Sequence, residues 1–298
     1  MPPTISVILP VYNCEEYICE SVQNILEQTF EDFELLIIND GSTDKSKQII
    51  MSLNDKRIRY IENRNNQGLI KALNKGLYFA KGEFIARMDA DDLCVNFRFQ
   101  KQLEYFRQEH NADILGTNQY IIGTNNHILH QLNNEENKVK LLLQPAVAHS
   151  SVMMKRESLN KNRLYYDKIA LHAEDYKLWV DSSLSGLSIH NLPECLCGYR
   201  VHNNQISNTQ AHIQKMVADE IRLSYAKYFF KDIIDGKEKE YLLLLLGCTD
   251  YLEDGQIRRI EELYHRLIKR NKEKLYFCQS VFERFLYHRL LNLKKEHA

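Results

Sequence analysis

A chain of 298 residues, 44% hydrophobic and 27% charged, is long enough for one large domain or one and a half, and it has the composition of a soluble protein with an apolar core. Its formal net charge of −1 argues against bulk nucleic-acid binding, so no nucleic-acid partner is expected. Seven cysteines without a Cys-x-x-Cys pair predict reduced thiols, and the start runs into a strand rather than a basic stretch and a long apolar core; both point to a cytoplasmic protein without a signal peptide.

The first predicted strand, Ile5 to Pro10, stops at a proline, after which Asn13 is expected to cap a helix carrying Ile18, Val22, Ile25 and Leu26 at helical spacing. A second strand, Phe33 to Asn39, has four consecutive apolar residues, as a strand covered on both faces does. Asp40 to Asp44 supplies a turn and cap before a helix from Ser46 to Leu53. A third strand, Ile58 to Glu62, is followed by a polar loop and a helix from Gly68 to Ala80; the fourth strand begins at Phe84. Strand and helix alternating in this way predict a parallel sheet with right-handed crossovers, in which ligands sit beyond the carboxyl ends of the strands.

Farther along, a helix over Asn96 to His110 and a strand around Ile114 to Gly116 continue the layer. Gln119 to Ile122 and Ile128 to Leu132 read as an antiparallel excursion, Glu135 to Leu143 as a helix and Val152 to Lys155 as a strand. Asn160 to His172 reads as a loop delivering Glu174 and Asp175 to a helix whose Trp179 belongs to the core. Two short strands are expected over Ser188 to Leu192 and Leu196 to Val201. From about Ile213 the pattern is helical. Its longest apolar run, Tyr241 to Leu246, is far short of the roughly 20 residues that cross a bilayer, so any membrane contact is expected to be peripheral, at the inner face.

The fourth strand ends in Arg87-Met88-Asp89-Ala90-Asp91-Asp92, three carboxylates within four residues. Like charges this close repel unless a cation sits among them. Carboxylate oxygens suit Mg or Mn, and Mg is held by one or two carboxylates with substrate phosphates and water completing its shell. The tip therefore points to a metal-bridged nucleoside diphosphate. Pro10 to Asn13 and Asp40 end neighbouring strands and converge on the same rim.

Seven motifs occur in order: Val7-Ile8-Leu9-Pro10-Val11-Tyr12-Asn13, Ile38-Asn39-Asp40-Gly41-Ser42-Thr43-Asp44, Asn66-Gln67-Gly68 with Lys71 and Asn74, Arg87 to Asp92, His149-Ser150-Ser151-Val152, Glu174-Asp175, and Tyr199-Arg200-Val201-His202 with Ser207. In this set the chain resembles the inverting nucleotide-sugar glycosyltransferases of family 2, over Ile5 to Ser207. The resemblance implies an α/β GT-A fold, Rossmann-like, with a mostly parallel central sheet and helices on both faces, followed by an α-helical C-terminal region. The expected division is 1–207 for the glycosyltransferase domain and 208–298 for a helical appendage serving packing, self-association or peripheral membrane contact.

By resemblance, Pro10, Val11, Tyr12 and Asn13 wall the nucleobase, usually uracil, and Asp40 accepts hydrogen bonds from base or ribose. Asn66, Gly68, Met88 and Ala90 contribute to the nucleotide-sugar site, and Arg64 and Lys71 offset diphosphate charge. Asp89 contacts ribose or the metal shell, and Asp91 coordinates Mn or Mg. Asp92 shares that task and His202 completes the site. Asp175 is the general base, in a first helical turn where the dipole favours its ionised form. His149 shapes the acceptor side. The implied donor is a UDP-sugar, and the acceptor a glycan, glycolipid or glycoprotein in surface polysaccharide assembly.

Rival classes lack their signatures. There is no GxxxxGK[ST] for a nucleoside-triphosphate hydrolase and no GxGxxG for a dinucleotide enzyme. His172-Ala173-Glu174 with Cys195 and Cys197 resembles half of a zinc deaminase site, but the second half reads Pro-Glu-Cys-Leu-Cys rather than Pro-Cys-x-x-Cys. The remaining alternative is a catalytically silent nucleotide-sugar-binding subunit of a transferase complex.

Overall fold

The structure is a computed structural model and describes residues 1–108, 111–130, 133–202, 209–247 and 255–296. The expected ends of the helix at His110 and of the excursion at Leu132, the motif residue Ser207 and the boundary at 207/208 lie outside the described residues.

Four strands form the parallel half of a nine-stranded sheet: β1 (Ile5–Val11), β2 (Phe33–Asn39), β3 (Ile58–Glu62) and β4 (Phe84–Arg87), in the order β3-β2-β1-β4. Between them run α1 (Ile18–Leu26), α2 (Ser46–Ser52) and α3 (Leu69–Phe79). The sheet then changes character. After β5 (Leu93–Cys94), α4 (Arg98–Arg107), β6 (Ile114–Ile121) and β7 (His127–Ile128) come α5 (Asn134–Lys140) and β8 (Met153–Lys155). β8 inserts antiparallel between β4 and β6. α6 (Arg156–Lys161) and α7 (Glu174–Leu184) lead to β9 (Ile189–Tyr199), which pairs parallel with β6 and antiparallel with β5.

Strand alternation divides the interior into two cores. Val7, Leu9, Leu35, Ile37 and Ala86 face one side, where α1, α2 and α4 cover them with Ile18, Val22, Ile25, Ile50, Phe99 and Leu103. Ile8, Leu36, Ile38 and Ile85 face the other, under Ile70 and Leu73 of α3 and Leu178 and Trp179 of α7. That second core continues into the C-terminal helices α8 (Ala211–Phe230), α9 (Glu238–Leu246), α10 (Gln256–Lys274) and α11 (Gln279–Glu296). Phe230, Phe277 and Phe282 stack there, with ring centroids 5.2–6.2 Å apart. Among the described residues no helix is long and apolar enough to cross a membrane.

Several local expectations are corrected. Asn13 caps no helix: it takes a left-handed backbone (φ 49°), and α1 begins five residues later at Ile18. Its Oδ1 accepts instead from the Thr43 N–H at 2.8 Å, tying the end of β1 to the turn after β2. Two short strands after residue 187 are one strand, β9. Its interruption at Pro193, which has no N–H to give, is absorbed by a register shift opposite Thr117 to Gln119, where Asn118 Nδ2 donates to the Pro193 carbonyl. The helix expected from Glu135 is α5, capped by Asn133, whose Oδ1 accepts from Glu136 N.

Candidate active site

The register Val11↔Asn39 brings Tyr12 and Asp40 to one level of the rim, and Ile8↔Arg87 places the acidic tip of β4 beside them. Gly41 turns the chain there with φ 70°; a Cβ at this position would lie 2.6 Å from the Asn65 backbone. Asp40 is buried and its carboxylate accepts from Asn63 Nδ2 (2.6 Å), Gln67 N (3.0 Å) and Gly68 N (2.7 Å), so it fastens the loop that leads into α3.

Two adjoining cavities of about 550 Å³ each open on this rim, and Tyr12, Leu69, Asp89, Asp91, His172 and Glu174 line both. The second also takes Pro10, Val11, Asn66, Gly68, Lys71 and Ala90, together with Asp40. Lys168, Leu171 and His172 reach it from the loop before α7. Asn74 of α3 pins that loop by exchanging two hydrogen bonds with the Tyr166 backbone, at 2.8 and 2.9 Å. The first cavity is acidic: among the described residues, eight carboxylate side chains, Asp92 and Asp175 included, line it against a single arginine, Arg87. Asn13, His149 and His202 complete its wall.

The three aspartates after β4 have different surroundings. Asp89 forms a two-point ion pair with the buried Arg87. Asp91 Oδ2 lies 2.9 Å from His202 Nε2. Asp92 is buried: its Oδ1 accepts from Arg200 N at 3.0 Å and its Oδ2 has no partner. Burial and the neighbouring Asp89 and Asp91 push its carboxyl up to about 8. The three carboxylates therefore share the cavity wall but not one environment: Asp89 pairs with Arg87, Asp91 meets His202, and Asp92 is almost fully buried. Among the described residues no three His, Cys, Asp or Glu side chains stand as a ready metal cage. Asp91 with His202 is a two-donor set on an acidic cavity wall, and this fits a hard divalent ion whose shell a diphosphate and water complete.

Glu174 and Asp175 open α7 at the cavity wall. Burial pushes Asp175 up to about 6 and Glu174 up to about 7, with Asp175 adding to the rise of its neighbour. The helix dipole favours the ionised form, but loss of hydration outweighs it. A carboxyl near 6 is still mostly ionised at neutral pH and accepts a proton more readily than an ordinary aspartate. His149 is held neutral by burial and by Arg87, and its Nε2 lies 2.9 Å from the Tyr166 hydroxyl.

Two expected residues stand outside the site. Arg64 is exposed and lines neither cavity. Met88 turns fully into the apolar core, because residues along the extended chain alternate sides and its neighbours face the cavity. Residues to which sequence reasoning gave no role in a transferase site include Arg87, Lys168, His172 and Glu174. The Arg87 and Asp89 pair carried a signal, since positions two apart in an extended segment share a face. Cys195 and Cys197 line neither cavity, which removes the deaminase constellation.

Residues 6–164 match the family model described as glycosyl transferase family 2. An uncharacterized glycosyltransferase of Haemophilus influenzae is 33% identical over 249 residues, 78% of this chain and 76% of its own length. The Escherichia coli UDP-Glc:alpha-D-GlcNAc-diphosphoundecaprenol beta-1,3-glucosyltransferase WfgD is 30% identical over 213 residues, 69% of this chain and 80% of its own. Among solved structures, Staphylococcus aureus TarS 1–349 in complex with UDP-GlcNAc superposes with a TM-score of 0.63 at 20% identity, covering 98% of this chain and 89% of that one. The mannosyltransferase PcManGT of Pyrobaculum calidifontis, in complex with GDP-Man and Mn2+, gives 0.57 at 17% identity, covering 99% and 87%. The two structural likenesses show a shared fold, the GT-A arrangement.

Proposed function

The chain belongs to glycosyl transferase family 2 and is a glycosyltransferase, and from that premise we propose a metal-dependent inverting transfer from a UDP-sugar to a hydroxyl of a glycan, glycolipid or glycoprotein acceptor in surface polysaccharide assembly. One observation carries the reading. An acidic cavity whose basic lining among the described residues is Arg87 adjoins a second cavity with Lys71 and Lys168, and Asp91 stands on their shared wall. A diphosphate cannot settle among carboxylates without a cation to offset both charges. WfgD, named for a UDP-Glc donor, and PcManGT, solved with GDP-Man and Mn2+, support the same direction.

In this reading the second cavity takes the nucleoside, with the half-exposed Tyr12 as a face for the base and Lys71 and Lys168 toward the phosphates. Asp91 and His202 would hold the divalent ion; when bound, it offsets the charge that grows on the departing nucleoside diphosphate. Asp175 takes the proton of the acceptor hydroxyl as that oxygen bonds to the anomeric carbon and the bond to the diphosphate breaks. Attack opposite the leaving group inverts the centre in one displacement. The proposed transfer unit is residues 1–207, in the cytoplasm, with helices 208–298 serving packing, self-association or peripheral contact at the inner membrane face.

The reading is tested by incubating the protein with a panel of nucleotide sugars and Mn2+ and following nucleoside diphosphate release. Release from a UDP-sugar that stops with EDTA is expected. Release from none of the panel, with or without an acceptor glycan, would overturn it.

A further inference from the structure

Arg87 ends β4, is 2% exposed, and is the one lysine or arginine among the described residues lining the acidic cavity. Its two terminal nitrogens meet both oxygens of Asp89, and its Nε has no partner. A guanidinium keeps its charge in any surroundings, so this one is permanent, and burial leaves it little screening by water. Asp89 neutralises it in sum but not in direction. Asp89 lies on one side of the guanidinium, and the cavity's other groups meet its field as well.

Those groups come from every element around Asp175. Arg87 and Asp89 line its cavity from the end of β4, with Asp91 and Asp92 beyond them, His149 from the turn before β8, His172 from the preceding loop and Glu174 from its own helix; Glu15, Glu16, Asp44 and His202 line the same cavity, and Tyr166 and Asp175 act on each other electrostatically. His149 is neutral, and burial pushes the Tyr166 hydroxyl well above its ordinary value, so it too is neutral. Among these described groups Arg87 is the one permanent charge; burial raises the Asp89 carboxyl, and its two-point contact with Arg87 opposes that rise and favours the ionised form.

We propose that Arg87 is a positioning residue of the transfer site: it locks Asp89 onto the cavity floor and supplies the fixed positive charge against which Asp175 accepts the acceptor's proton. The inference rests on the reading of Asp175 as the base. Burial raises the Asp175 carboxyl, Arg87 pulls it back and Asp89 pushes it up. The signs follow. Removing the Arg87 charge favours the protonated, inactive carboxyl and moves the acid limb of activity to higher pH. Removing the Asp89 charge leaves Arg87 uncompensated and moves that limb to lower pH. General loosening of the fold does not produce shifts of opposite sign.

The experiment is kcat/KM against pH for Mn2+-dependent transfer by full-length wild type, Arg87→Met, Arg87→Lys and Asp89→Asn, with circular dichroism to confirm folding. In Arg87→Met the limb is expected to rise by about one pH unit, a roughly fivefold loss at pH 6 that is regained above pH 8. Arg87→Lys, which keeps the charge, is expected to hold the wild-type limb, and Asp89→Asn to lower it. A folded Arg87→Met with an unmoved limb overturns the proposal. If that variant fails to fold, an Asp89→Asn limb that does not fall overturns it. Asp175→Asn separates the two readings. Undiminished transfer by that variant refutes the base assignment itself, whereas an inactive Asp175→Asn with unmoved limbs in the other variants refutes the role of Arg87 alone.

Discussion

His202 lies across from Asp91 although 111 positions separate them in the chain, with Nε2 2.9 Å from Oδ2. The segment after β9 thereby closes over the tip of β4, and Arg200 fastens it there, its backbone N–H donating to Asp92 and its Nε to the Asp91 carbonyl. Asp91→Ala is expected to weaken Mn2+-dependent donor binding by about tenfold or more, and His202→Ala by a smaller factor. Titration calorimetry with UDP and Mn2+ measures both. Equal affinities in all three proteins would remove the pair from the metal site.

Asp175→Asn is expected to leave donor affinity nearly intact and to cut transfer by roughly a hundredfold or more, as loss of a general base does. Steady-state kinetics beside a UDP binding isotherm separates the two effects. A fall in affinity equal to the fall in rate would make Asp175 a binding residue.

The same carboxyl has a cost in stability. An aspartate raised from its ordinary value of 3.8 to about 6 by burial stabilises the fold while protonated. That contribution is full below about pH 4 and is lost as pH rises through 6. At pH 7.5 Asp175→Asn is therefore expected to be more stable than wild type by about 3 kcal/mol, with the difference shrinking toward pH 4. Urea unfolding at the two pH values measures it. A variant less stable than wild type at pH 7.5 would contradict the burial argument.

Asp40 joins the nucleotide cavity to the loop from Asn63 to Gly68 through hydrogen bonds to Asn63, Gln67 and Gly68. Asp40→Ala leaves those donors without their acceptor and is expected to cost about 1–3 kcal/mol, with a raised KM for the donor. Denaturant unfolding and donor kinetics measure the two effects. A variant of unchanged stability would mean that the loop holds itself.

The parallel half of the sheet was legible because its strands are continuous apolar runs and each ends in a polar cluster, as at Asp40 and Asp89. The antiparallel half was not. β8 is three residues long and β5 two, and nothing local to Met153–Lys155 says that it inserts between β4 and β6. The proximity of the acidic tip, Glu174 and Asp175 was reachable through the family resemblance alone, since a long stretch of chain, from β5 to α6, intervenes. The separate fates of Asp91 and Asp92 depend on the His202 side chain and the Arg200 backbone N–H, which only the folded chain brings to them, whereas Asp89 pairs with its near neighbour Arg87. Asn13 misled because a polar residue before an apolar periodic segment is an ordinary cap signal, and here the turn after β2 takes its side chain instead.

The most direct test is the binding of UDP to the wild-type protein by isothermal calorimetry, once with Mn2+ and once with EDTA. Expected is a dissociation constant at least about tenfold tighter with Mn2+, and loss of that difference in Asp91→Ala. Identical affinity in EDTA, or a Mn2+ effect that survives in Asp91→Ala, would contradict a diphosphate held by an ion at the end of β4.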